Sequence, residues 1–133
     1  MRKTDTVVID PVKMNIVNRI AAGSRSQGQL WFSGGLLLQG HHVGDLDIRG
    51  GPLVVVEGAS VTGKVIVHGD AYLFGCFGSA GEGSPETQVT VYGVMHLTSK
   101  SETNGHLRCE QLATYDGARI NGKVETLHQG AIN

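Results

Sequence analysis

Residues 58–65 read Gly-Ala-Ser-Val-Thr-Gly-Lys-Val, and residues 117–124 read Gly-Ala-Arg-Ile-Asn-Gly-Lys-Val. Both fit G-A-x-[Val/Ile]-x-G-K-Val, with an acidic residue, Glu57 or Asp116, immediately before. A chain repeats itself in this way when every turn must solve the same packing problem, as the coils of a solenoid do. This restricts the fold more than composition or charge can.

The block also comes close to a phosphate-binding loop, G-x-x-x-x-G-K-[Ser/Thr]. That loop needs a hydroxyl after its lysine to hold magnesium. It also needs a following helix whose first N–H groups face the phosphate. Both copies carry valine instead, Val65 and Val124, and Lys64 is followed by Val65-Ile66-Val67-His68-Gly69, a short β run and a turn. The block is read as a structural repeat.

Weaker copies extend the pattern. Leu36 to Gly40 aligns with Val54 to Gly58 at an offset of 18, and Asn104 to Leu107 aligns with Asn121 to Val124 at an offset of 17. Within 61–78 a beat of six runs through Val61, Val67 and Leu73. Three such beats make a coil, so the chain is predicted to be all-β. The form is a single-stranded parallel β-helix of about six three-sided coils, with short non-repetitive tails. Val54, Val56, Val61, Val65 and Val67 are expected to face the shaft. Glycine, 20 of 133 residues, is roughly twice its usual share, as corners with little room or positive φ require.

The expected layout is a tail over 1–28, coils over 29–127 beginning near Leu30, a surface loop over 78–87 and a tail over 128–133. Asp10 and Pro11 look like an N-cap and first helical residue, and Val12, Ile16 and Ile20 recur at four-residue spacing. They predict a short helix over 11–22. It caps the first coil, meets another subunit or partner, or lies on a membrane surface. The candidate contact residues for the latter two are Val7, Val8, Ile9, Val12, Ile16 and Ile20. Net charge is −1 and basic residues do not cluster, so nucleic acid is not an expected partner. No apolar run approaches the roughly 18–20 residues of a membrane-spanning helix, and Arg2 and Lys3 do not open a signal peptide. Cys76 and Cys109 have no metal-site spacing and read as reduced thiols of a cytosolic protein.

Gly40 to Ile48, Glu57 to His68 and Asp116 to Val124, in coils of 17–18 residues between brief tails, resemble the bactofilins, bacterial polymer-forming cytoskeletal proteins. The resemblance covers about residues 30–127. It implies a right-handed β-helix that stacks end to end into non-polar filaments without nucleotide. It also implies a place in the cytoplasm, often at the inner face of the membrane, where the filament scaffolds cell-wall enzymes or shape determinants. Family members that touch membrane do so through an apolar tip containing phenylalanine, whereas this chain begins Met1-Arg2-Lys3-Thr4-Asp5. The stretch 78–87 is an insertion relative to a regular stack.

Polymerisation also has a reason in the residues. A β-helix has two open ends, each showing unpaired N–H and C=O groups and a slice of core, which template further pairing unless capped. The predicted polymer-interface residues are Leu30, Trp31 and Phe32 at one end and Ile120, Val124 and Leu127 at the other. The alternative reading is a trimeric hexapeptide-repeat acyltransferase, which shares the three-sided helix and needs a catalytic histidine. The six histidines, 41, 42, 68, 96, 106 and 128, read instead as polar positions on outer faces. His41 and His42, adjacent on a strand, point to opposite sides. No catalytic set, metal or cofactor is expected. Calorimetry should show no micromolar binding of ATP or GTP. Binding that vanishes in Lys64→Ala would reinstate the phosphate loop.

Overall fold

The computed structural model describes residues 9, 10, 12–78 and 87–127. Its strands all pair in parallel, each with its counterpart one coil further on. The first coil is β1 (Ile16–Ile20), β2 (Arg25–Gln27) and β3 (Leu30–Ser33). The second is β4 (Gly35–Leu38), β5 (His41–Val43) and β6 (Leu46–Arg49), and the third is β7 (Leu53–Val55), β8 (Ser60–Thr62) and β9 (Lys64–His68). β10 (Ala71–Leu73), β11 (Cys76–Phe77) and the start of β12 (Gln88–Leu97) form the fourth. The longer β12, β13 (Glu102–Thr114) and β14 (Arg119–Thr126) bend around corners and complete coils five and six. Three faces result, led by β1, β2 and β3, and the chain is a β-solenoid of about 6 turns.

Alternation along each strand fills the shaft. Leu36, Leu38, Leu46, Ile48, Val61, Val65, Val67, Leu73 and Leu107 are fully or almost fully buried in one continuous core. Val54 departs from the expectation. It pairs with Leu37 and Tyr72, between inward Leu53 and Val55, so it points outward although it is 1% exposed. The first face is apolar on both sides here, and such strands read as unbroken apolar runs from which the inward residues are hard to pick. Val56, at the corner, is partly buried against the core.

The geometry gives each residue of the repeated block a task. Gly58 and Gly117 are the third residues of four-residue turns closed by Ala59 N to Val56 O at 3.0 Å and Ala118 N to Tyr115 O at 3.1 Å. Their φ values are 92° and 100°, a conformation that favours glycine at this turn position. Ala59 and Ala118 then enter the core, followed by Val61 and Ile120. Gly63 and Gly122 make the next corner at φ 130° and 149°, lying so close over Gly44 and Gly105 that a Cβ would strike the carbonyl oxygen beneath. Lys64 and Lys123 turn out to solvent, and Val65 and Val124 turn in. The register differs from the alignment read in sequence. Leu36 lies beside Leu53, 17 residues on, whereas His41 lies beside Ser60, 19 residues on. The third coil spends four residues, 56–59, at a corner that the second turns with Gln39 and Gly40 alone.

The helix predicted over 11–22 is not formed by the described residues. Asp10 does cap a turn, accepting from Val12 N at 3.2 Å and Lys13 N at 3.3 Å. The turn stops at Asn15, whose φ is 59°, and Ile16–Ile20 continue as a strand beside Gly35–Leu38. A four-residue apolar spacing also fits period two, and β-branched Ile16, Val17 and Ile20 favour the pleated surface. The coils therefore begin at Ile16 rather than near Leu30. Val7, Val8, most of the predicted 78–87 loop and the tail over 128–133 lie outside the described residues. Gly63→Ala should cost more stability than Gly58→Ala, because Gly58 has open space around it and pays only the left-handed penalty of about 1–2 kcal/mol. Urea midpoints compare them; equal costs would contradict the stacked-corner account.

Candidate assembly interface

Both ends of the stack are open among the described residues. β1, β2 and β3 each pair on one side only, with β4, β5 and β6. At the other end β14 pairs only with β13, and Gln111–Thr114 of β13 pair only with β12. Each edge thus offers backbone donors and acceptors to a further strand.

The predicted interface residues occupy these end coils. Leu30 and Phe32 of β3 point inward and are partly buried against the core, while Trp31 between them points outward and is 64% exposed. Ile120 and Val124 of β14 also point inward and are partly buried, and Leu127 follows, its N–H donating to Cys109 O at 2.7 Å. Central core residues such as Val61 and Leu73 are 0% exposed; those of the end coils lack a neighbour on one side. Ile16 and Ile20, predicted as a membrane or partner contact on a helix, belong to the first coil, with Ile20 against the core. Val12 is 88% exposed in the turn before it. Ile9 lines an outer groove with Leu37, Val54, Val56 and Phe74. Sequence reasoning missed Asn18, Arg19, Arg25 and Leu112 at the edges. Continuing the two-residue alternation back to Ile16 would have found the first three.

The end coils differ in charge. Between Ile16 and Ser33 the only charged residues are Arg19 and Arg25. Along the second face one column runs Arg25, His41, Ser60, Cys76, Glu102, Arg119. A head-to-tail stack in continuous register would set Arg119 of one copy beside Arg25 of the next, and like charges directly opposite are destabilising.

His41 and His42 are held by hydrogen bonds, whereas the buried Nδ1 of His96 has no hydrogen-bond partner among the described residues. His42 is 0% exposed inside the shaft, contrary to the expectation of outer-face histidines. Its Nδ1 lies 2.7 Å from Ser26 Oγ and its Nε2 lies 3.2 Å from Asp45 O, which satisfies both ring nitrogens. His41 does point to the opposite side, 2.7 Å from Ser60 Oγ. His96 stacks on Tyr72 with ring centroids 4.5 Å apart, and burial lowers its pKa against the smaller opposing pull of Asp70. His106 faces Glu125 at 3.3 Å. Burial raises the pKa of both thiols, Cys76 with a lesser push from Glu102, which disfavours the nucleophilic thiolate. Lys64 is the first residue of strand β9 and Lys123 lies within strand β14, so neither opens a helix. No group of three or more metal-ligating side chains occurs among the described residues, nor is any helix there long and apolar enough to cross a membrane.

The family model for bactofilins, described as polymer-forming cytoskeletal, matches residues 18–125. No curated protein and no solved structure matches.

Proposed function

The chain belongs to the bactofilin family of polymer-forming cytoskeletal proteins, and from that premise we propose that it polymerises end to end through its terminal coils, without nucleotide. The observation that carries this is the pair of open edges, each combining unpaired backbone with partly buried apolar side chains: Leu30 and Phe32 at one, Ile120 and Val124 at the other. Covering these side chains would contribute about 25 cal/mol per Å² of apolar surface removed from water, in addition to the backbone bonds. The polymer is a cytoplasmic scaffold, not an enzyme. It supports cell shape or positions cell-envelope enzymes at the inner face of the membrane. Contact with a membrane or a partner falls to Ile9 and Val12 before the first coil, and Ile16 and Ile20 join the end-to-end contact. His42 is sealed in the shaft, which takes that residue out of the acyltransferase reading.

The filaments are non-polar, with like ends joined. This avoids the Arg25–Arg119 column that a head-to-tail junction creates. Phe32→Arg and Leu127→Arg each block one end, because a charge forced into an apolar contact is costly. In a non-polar filament each variant alone should stop at dimers joined through the intact end, with the β circular-dichroism spectrum kept. In a polar filament each should stop at monomers. Sedimentation and negative-stain micrographs separate the outcomes, and undiminished filament length in both variants would remove end stacking.

A further inference from the structure

Trp31 is the only tryptophan in the chain, and it stands outward on the first coil, 64% exposed. It borders a concavity that also includes Asp45, Asp47, Lys64 and Ile66. Asp47 is the next residue of its column, paired with Trp31 in register. That carboxylate lies 3.3 Å from Arg49 Nε and 3.8 Å from His68 Nε2 on its own face. The concavity therefore sets an indole face beside two carboxylates and the ammonium of Lys64, and an indole face suits a guanidinium. The first coil supplies that group elsewhere on its rim: Arg19 points outward on β1, in the column of Leu37.

We propose that the N-terminal ends of two copies meet about a two-fold axis, and that Arg19 of each copy lies over Trp31 of the other and reaches toward its Asp47. This rests on the end-stacking reading above and specifies one of its junctions. The axis passes through the middle of the β2 face and crosses the stack at a right angle. Rotation about it lays β2 antiparallel on the facing β2, with Ser26 on Ser26 and Arg25 beside Gln27. It also exchanges the other two faces, so β1 of each copy runs antiparallel to β3 of the other. Ile20 then meets Leu30 and Asn18 meets Phe32 inside the shaft. Outside, Arg19 meets Trp31 and Val17, itself 66% exposed, meets Ser33. An axis through the β3 face would instead set Arg19 against Arg25. A two-fold junction is self-complementary, so both Arg19–Trp31 contacts form together.

Cysteine pairs read the geometry, since side chains directly opposite across strands have Cβ atoms about 4.5–5.5 Å apart. In a Cys76→Ala background, chains with Arg19→Cys are mixed with chains with Trp31→Cys, assembled and oxidised. The expected result is a disulfide dimer formed only in the mixture. A link between Trp31→Cys and Glu125→Cys chains, with Arg19→Cys unlinked, would overturn the proposal and replace it with head-to-tail stacking, leaving polymerisation intact. Absence of polymer in the unsubstituted protein would fail the end-stacking reading itself. A second readout does not depend on added thiols. On assembly Trp31 emission should shift to shorter wavelength and its iodide quenching fall several-fold. Arg19→Glu should keep the exposed spectrum and stop at dimers. Full-length filaments of Arg19→Glu with a shielded Trp31 would overturn the proposal.

Discussion

Backbone pairing between successive coils is the constraint on which everything else depends. A parallel solenoid strand has its hydrogen-bonding edges directed along the stack, so each coil is satisfied only by a coil above and a coil below. Inside the stack this condition is met repeatedly, from Ile16 beside Gly35 to Cys109 beside Thr126. At the two ends, among the described residues, it is met once. The same geometry that builds the core therefore leaves an incomplete core at each end, and a second copy is the simplest object that completes it.

The corners allow coils to approach closely enough for that pairing. Where Gly63 rests over Gly44 and Gly122 over Gly105, a side chain would hold two coils apart at that corner and break the ladders on both flanking faces. Both glycines belong to the repeated block, and the block was legible in sequence because this demand recurs with little freedom. The lysine after each glycine has no comparable demand on it beyond facing water. Its resemblance to a phosphate-loop lysine comes from a corner glycine preceding an outward residue.

Much of the architecture was readable for this reason: the all-β class, the coil count and the inward Val61, Val65 and Val67. What misled has physical causes. Val12, Ile16 and Ile20 satisfy helical and strand periods equally, and Asp10 does cap a turn, so local signals could not show that β4 would recruit Ile16–Ile20 into another coil. The register near Leu36 slipped by one residue because corners of two and of four residues both occur without changing the strand pattern. Val54 was assigned inward because its face is apolar on both sides. His42 was assigned outward because histidine is polar, yet Ser26 and the Asp45 carbonyl satisfy it inside the shaft. At the ends, Leu30 and Phe32 were recognisable as early, and Ile120 and Val124 as late, apolar positions of a repeat. Arg19 was not, since its place on the rim depends on the coil that the helix reading concealed.

The central claim is that the open ends, rather than the faces, join copies. Cryo-electron microscopy of purified protein without nucleotide tests it most directly. At about 4.8 Å per coil, a stack of about 6 turns adds ~29 Å per chain. The account predicts unbroken filaments one solenoid wide, with the ~4.8 Å coil spacing continuing across every junction. Filaments several solenoids wide, held by contacts between faces and with that spacing interrupted at each chain's ends, would contradict it.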